Sequence, residues 1–398
     1  MHYAPLTEKT LNGSLQYAAN YNFDGTKYFT YAEVNGIFWN GDSDSWSGGS
    51  SGDGSASTNI ADKDKVMVID SETSNNHALL AQDAIVECVW VKDGSELTIA
   101  ADKYLEFDED FILDGDIRMI GDAQLIQTHL LETNVEGNGK VYSDQLATVE
   151  NVYRYHYWSS PVVEIQKSTF RVGRVMKDGT TPTSATSTPK DINFIDYTEG
   201  YDGATTDPIT IANNWIWTYI NGSSSNEWSQ KKETGIINRG EGYTMKSTGR
   251  TPQNFTFVEK PNDGTIKISV DQDTYSLVGN PYPSALDSYA FLNDNADIIN
   301  GGTLYFWEHT GEAESAEGTT VGHNIGGYRG GYLTRNLNMG VAPQAPTNGV
   351  DGLGDMEDYT EPGRYIAVGQ AFYVGAKAAG DITFENSQRR YQSINQQW

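Results

Sequence analysis

The densest group of residues able to do chemistry is Asp351-Gly352-Leu353-Gly354-Asp355-Met356-Glu357-Asp358, four carboxylates around two glycines. Hard cations take several oxygen ligands from a flexible loop, so Asp351, Asp355, Glu357 and Asp358 are read as a candidate calcium site. The run lacks the EF-hand order of alternating Asp with a distal Glu, and a merely solvated acidic loop is the competing reading. Asp42-Ser43-Asp44 and Asp108-Glu109-Asp110 are weaker candidates of the same kind. A second group is aromatic. Trp215, Trp217 and Trp228 flank Asn221-Gly222-Ser223-Ser224-Ser225-Asn226, which reads as the tip of a hairpin. Aromatic rings join an apolar face to a polar edge, and carbohydrate sites pair such rings with amides. Trp215, Trp217, Trp228 and Asn226 are therefore a candidate sugar-binding set. If Trp215 and Trp217 share one strand face instead, they belong to the core.

No catalytic constellation emerges. The six histidines, His2, His77, His129, His156, His309 and His323, are scattered, and none begins a His-Glu-x-x-His motif. Gly326-Gly327-Tyr328-Arg329-Gly330-Gly331 lacks the Lys-Ser/Thr continuation of a phosphate loop. A glycosidase needs two carboxylates held roughly 5–10 Å apart, which a chain this acidic does not reveal by spacing. The expectation is a protein without enzymatic activity and without a cofactor, structural calcium excepted.

The elements that must position these residues are short strands. Apolar residues make up 37% of the 398-residue chain, enough for a core. The 24 Tyr and 9 Trp suit pleated surfaces, and the 41 Gly suit the corners between them. A net charge of −27 repels phosphate backbones, so no nucleic-acid partner is expected. The single cysteine, Cys88, excludes an intrachain disulfide and reads as a small buried hydrophobe. No stretch approaches the roughly 20 apolar residues of a membrane helix.

Residues 1–36 read as an extended segment of one or two strands. A run rich in Gly, Ser and Asp, from about 41 to 58, reads as a long mobile loop. Residues 37–135 carry short apolar strands separated by turn residues, among them Val66–Ile69, Ile85–Val91, Leu97–Ile99 and Ile117–Ile120. Strands so short share a core when stacked as a β-helix-like coil. An ordinary meander or sandwich is the alternative. Residues 129–150 are polar and read as a boundary. From 150 to 398, alternating segments such as Trp215–Ile220 and Ile266–Val270 predict a β-sandwich-like module. One helix is expected at Ala285–Asn293, with Ser284 near its N-terminus. Asn280-Pro281-Tyr282-Pro283 predicts a rigid corner, open to a cis bond.

Several phrases of the second half resemble, in their order, a module of large extracellular adhesin-like proteins of Bacteroidetes, mostly Flavobacteria, exported by the type IX secretion system. They are Tyr155-His156-Tyr157-Trp158-Ser159-Ser160-Pro161-Val162, Gly240-Glu241-Gly242-Tyr243, Leu277–Asp287, Gly302–His309, Ile366–Val374 and Phe384–Ser387. The resemblance covers about residues 150–390. The first half is similar in style to the strand stacks that precede this module. The resemblance implies export, an extracellular address at the cell surface, and a mature or partial product, since neither a secretory leader nor a sorting domain is recognised. The function expected from it is structural and adhesive, with self-association into a fibre by strand addition, or contact with other surface proteins. The rival expectation is a carbohydrate-binding module of a surface polysaccharide-binding or -degrading protein, with glycans as partners.

Overall fold

The computed structural model describes residues 4–11, 14–23, 26–32, 36–41, 45–70, 76–130, 135–147, 152–179, 188–250, 252–309, 330–341 and 361–392. The fold is all-β in character, a β-solenoid followed by antiparallel sheets. At the N-terminus, β1 (Ala4–Leu11), β2 (Ser14–Phe23) and β3 (Thr26–Ala32) form a three-stranded antiparallel sheet of their own, where one or two strands were expected.

The stack begins with β4 (Gly36–Asn40), on which β5 (Ser45–Ser47) folds back. The first coil is β6 (Val66–Ile69), β7 (His77–Leu80) and β8 (Ala84–Val86). The second is β9 (Cys88–Val91), β10 (Glu96–Ile99) and β11 (Tyr104–Phe107). The third is β12 (Phe111–Leu113), β13 (Asp116–Met119) and β14 (Gln124–Gln127), and a last coil opens with β15 (Val135–Glu136) and β16 (Val141–Ala147). Equivalent strands pair in parallel and in register. Val89 lies between Met67 and Phe111, Leu97 between Ala78 and Ile117, and Leu105 between Ala84 and Leu125. All nine are buried. Each coil therefore supplies one apolar side chain per sheet to a shared column, and burying each larger one contributes about 1.5–3 kcal/mol. Antiparallel meander pairing is ruled out by these registers. The repeat of roughly 20 residues sets the coil, and its corners use left-handed backbone at Gly94 (φ 79), Asp102 (φ 60) and Gly121 (φ 60).

Residues 129–150 are not a boundary. β15 and β16 fall there and extend the stack, and β16 then pairs antiparallel with the strand Gln253–Pro261, from Val141 opposite Glu259 to Ala147 opposite Gln253. One hydrophobic cluster runs from Ile37 through the solenoid to Trp158, Tyr243 and Phe257.

The Gly/Ser-rich stretch is a cap, not a mobile loop. The buried Asp62 carboxylate accepts from the Ser50 and Ser57 amides, both at 3.0 Å, from the Ser50 hydroxyl and from Lys65 Nζ at 2.9 Å. Burial opposes ionisation, but these bonds hold the carboxyl down to about 2. Ala56 enters the core, Ile85 donates its amide to Ser57 O, and Trp46 donates its indole N–H to Leu79 O at 2.9 Å. The open edge of the first coil is thereby covered. Composition reads as flexibility here because it does not reveal that Asp62 gathers the serines.

In the C-terminal part, a sheet of Tyr275–Gly279, Ala371–Ala376, Ile299–His309, Gly330–Asn336 and Gly340–Val341 faces the pair Ile266–Val270 and Gly380–Phe384. Val278, Leu304, Phe306, Phe372 and Val374 from one layer meet Ile266, Ile268, Ile382 and Phe384 from the other. The helix is Ser288–Asp294, and Asp287 caps it by accepting from the Tyr289 amide at 3.0 Å. Ser284 is not the cap: Ala285–Asp287 is a strand, and the Ser284 hydroxyl accepts from Arg389 Nε at 3.1 Å. The cis peptide found among the described residues is Asp207–Pro208, not Asn280–Pro281.

Candidate binding surface

The phrases that carry the resemblance meet in space. Ser159 donates its amide to Gly369 O at 2.6 Å and its hydroxyl to Glu241 O at 3.1 Å. Gly242 donates to Leu277 O at 2.9 Å, and Asn280 to Gln370 O at 2.9 Å. Asn262 Nδ2 bridges Ser160 O and Pro281 O, at 3.0 and 2.9 Å. A Cβ on Gly279 would stand 2.6 Å from Ser159 Cβ and 2.8 Å from Gln370 O, so only glycine permits this approach. The buried Asn280 amide donates to Ser284, Ile366 and Ala367 carbonyls. Four of the six phrases thus form a structural node held by hydrogen bonds.

A second buried node locks the solenoid's third coil to the C-terminal sheets. His129 Nε2 lies 3.1 Å from Asp263 Oδ2, which also accepts from Gln127 Nε2 at 3.1 Å. Asn386 Nδ2 donates to His129 O at 3.2 Å. Arg389, fully buried, donates to Ser284 Oγ, to Asn386 Oδ1 at 3.1 Å and to Leu125 O at 2.6 Å, with Tyr282 under its guanidinium. Burial lowers its pKa to about 10. Sequence reading missed this seam, because its members lie far apart along the chain. The reading that the chain holds no Gly-x-Ser-x-Gly elbow is also corrected, since Gly48-Gly49-Ser50-Ser51-Gly52 matches that pattern formally. Ser50 sits in the cap, its hydroxyl 2.6 Å from Ser57 Oγ and donating to Asp62, with no strand-to-helix turn behind it.

Of the proposed sugar-binding set, Trp217 and Thr218 do pair antiparallel with Gln230 and Ser229, so the residues between them form a hairpin connection as expected. The four residues are nevertheless divided. Trp215 belongs to the 3-10 turn Asn213–Trp215, which breaks the alternation on which a shared strand face depends. Its ring lies 3.7 Å from Lys246 Nζ, with Tyr155 on that amine at 4.5 Å. Lys246 is 2% exposed, and burial pushes its amine down to about 7 against the opposing charge of Asp202. The Trp217 indole donates to Asn214 O at 2.6 Å. Asn226 is exposed in the turn Ser225–Glu227. Trp228 joins a different aromatic group, 5.1 Å from Tyr219 and 6.2 Å from Tyr373.

That group is the most distinctive surface feature. On the C-terminal sheet Tyr305 stands opposite Tyr373, and Trp307 opposite Tyr332. Directly opposed residues share a face, so these four side chains project together, away from the Phe306 and Phe372 that fill the core. Trp307 and Tyr332 meet edge to face at 5.1 Å, and Tyr332 and Tyr373 at 5.7 Å. Tyr157, from β17 (Tyr155–Trp158), stacks on Trp307 at 6.4 Å with the planes 18° apart. The Tyr332 hydroxyl is hydrogen-bonded to those of Tyr157 and Tyr373. Burial raises all three phenols above their ordinary range, so they stay neutral. Tyr332 remains 38% exposed, and Tyr157, Trp228, Tyr305 and Trp307 are half-buried. Among the described residues, this strand face bears no charged side chain: it presents Thr303, Tyr305 and Trp307, Tyr332 and Thr334, and Tyr373.

Asp351, Asp355, Glu357 and Asp358 lie outside the described residues, as does Asp42-Ser43-Asp44. Among the described residues, no group of three or more His, Cys, Asp or Glu is placed to hold a metal ion, Asp108-Glu109-Asp110 included. That acidic turn acts instead on Glu87, whose carboxyl is raised by burial and by the like charges of Asp108, Asp64, Glu109 and Asp110. Burial likewise pushes the partly covered Cys88 thiol up to about 12, which leaves it protonated and inert. No described helix is long and apolar enough to cross a membrane.

Fold and surface together define a class: a capped β-solenoid continuous with antiparallel sheets that bear an outward aromatic terrace. The chain belongs to the family described as Domain of unknown function (DUF8693), whose model matches residues 38–398 and so spans both parts as one unit. No curated protein and no solved structure matches it at a significant level.

Proposed function

We propose that the protein is a non-enzymatic, extracellular component of a bacterial cell surface, of the type IX-exported adhesin kind, that works by contact. The observation that carries this reading is the terrace. Above a sheet whose inner face already fills a core, Tyr373, Tyr219, Leu277 and Ala371 form a second buried cluster, with Tyr157, Trp228 and Tyr305 half-buried against it and Tyr332 38% exposed at its surface. Contiguous apolar surface of this sort marks interaction sites in soluble proteins. The support beneath it is stiff: a capped solenoid, a shared sheet and a buried polar seam fix the terrace to the body. Strongly shifted carboxyls are engaged in structural pairs, such as Glu164, which the Arg171 guanidinium at 2.7 Å brings down to about 2. The three N-terminal strands lie outside the family match and pair only with one another among the described strands, which suits strand addition to a second copy.

The test is protease shaving of intact source cells, read with an antibody to the chain, beside attachment assays of a deletion strain. Loss of signal from intact cells together with weakened attachment is expected. A chain protected until lysis would overturn the reading.

A further inference from the structure

We infer that the aromatic terrace binds a neutral glycan chain. The inference rests on the reading of this face as a contact surface and names what it contacts. Three observations select the ligand class. First, Tyr157, Trp228, Tyr305, Trp307 and Tyr332 keep part of each ring open while their neighbours hold them in place, so little side-chain freedom is lost on binding. The C–H faces of a hexose pack on such rings. Second, the polar groups that reach the open side of the face are hydroxyls: that of Tyr332, 38% exposed, and those of the half-buried Tyr305 and of Thr334 opposite it. Hydroxyls both donate and accept, which matches the hydroxyl-lined edge of a sugar. Third, the charge pattern disfavours charged ligands. The strand face bears no charged side chain among its described residues, and the charge at its rim, the exposed Glu227 acting on Tyr219 beside Trp228, is negative, so on a chain of net charge −27 the site repels a polyanion. A cationic protein partner would be drawn to the acidic remainder of the surface, not to this uncharged part.

The site differs from the one expected at the Trp215–Trp228 hairpin. Only Trp228 belongs to both, and Tyr305, Trp307 and Tyr332 supply the rest from strands distant in sequence.

The purified chain is run in native gels containing neutral polysaccharides (a β-glucan, a mannan and a xylan) or an anionic one (alginate), with affinities from calorimetry on matching oligosaccharides. Retardation by at least one neutral glycan is expected. Trp307→Ala and Tyr332→Ala should each weaken it about tenfold or more, and Trp217→Ala should leave it unchanged. Tyr332→Phe, which keeps the ring and removes the hydroxyl, should show an intermediate loss, and it decides the matter if an alanine variant fails to fold. No retardation by any neutral glycan, retardation by alginate alone, or binding indifferent to all the terrace variants would overturn the inference. A chain that is surface-exposed and supports attachment, yet ignores every neutral glycan, removes the ligand and leaves the adhesive reading standing. A chain protected from shaving removes the adhesive reading whatever sugar it binds.

Discussion

The solenoid and the C-terminal sheet are made of the same short strands, and they treat their outward aromatic residues differently. On the solenoid such rings have lids. Lys92 lies over Trp90 at 5.2 Å while pairing with Asp70, Arg118 lies over Tyr142 at 6.0 Å, and Tyr391 stacks on Tyr104 at 4.5 Å. On the C-terminal sheet the outward rings meet other rings, and Tyr332 stays substantially open. A lidded aromatic is explained by stability alone. A cluster whose rings pack on one another above a filled core, with Tyr332 left 38% exposed, is less fully explained that way, and this difference is why the contact site is proposed on one sheet.

Substitutions can break that contrast or sharpen it. The largest effects belong to the interior. Phe372→Ala, which removes a ring packed against Phe291 at 5.6 Å and Phe306 at 5.5 Å, should cost about 3–5 kcal/mol in urea unfolding. Arg389→Ala should cost about as much, 3–5 kcal/mol, because it strands buried acceptors at the seam. It should also split one unfolding transition into two, with the solenoid and the C-terminal sheets melting apart; a single transition would show that the seam does not couple them.

Asp62→Ala comes next, at about 2–3 kcal/mol, with faster amide exchange over residues 48–62. Its pH signature has a definite sign. The folded carboxyl titrates at about 2 and the free one at 3.8, so the unfolded chain takes up the proton first. The stabilisation is complete above the free value and disappears as the pH falls toward 2, and the variant should lack that part of the acid transition.

Lys246→Met is smaller, within about 1 kcal/mol of wild type at pH 7. Here the folded amine titrates at about 7 against 10.5 when free, so between those values the unfolded chain holds more protons. Wild-type stability should rise with pH through that window, and the rise should flatten in the variant. A slope unchanged by the substitution would show that the Trp215–Tyr155 clamp keeps the amine charged.

Much of this fold was legible. The solenoid strands announce themselves as short apolar runs between turns, and Val89, Leu97 and Leu105 lie in the runs that were read as strands. Its closure was not legible, because an antiparallel partner for β16 from Gln253–Pro261 looks like any other alternating strand. Composition misled at the cap, where hydrogen bonds to one carboxylate override the flexibility of serine and glycine. It misled also at Trp215, where a tight turn replaces a strand. The terrace residues were in view, with Tyr157, Trp307 and Tyr373 among the phrases of the resemblance, but nothing in the sequence set them apart as one surface. Alternation puts Tyr157 and the buried Trp158 beside it on opposite faces, but does not say which face meets solvent. That depends on which other strands arrive to cover it, and those come from more than a hundred residues away, as Tyr157 shows by meeting Trp307.

The most direct measurement pairs stability with attachment in a single variant. Tyr332→Ala should change unfolding free energy by about 1–2 kcal/mol, well below Phe372→Ala because part of the ring is exposed, while abolishing adhesion of protein-coated beads to the surface the wild type binds. A loss of stability comparable with Phe372→Ala, or full adhesion despite the missing ring, would contradict the separation of a core-forming inner face from a contact-making outer one.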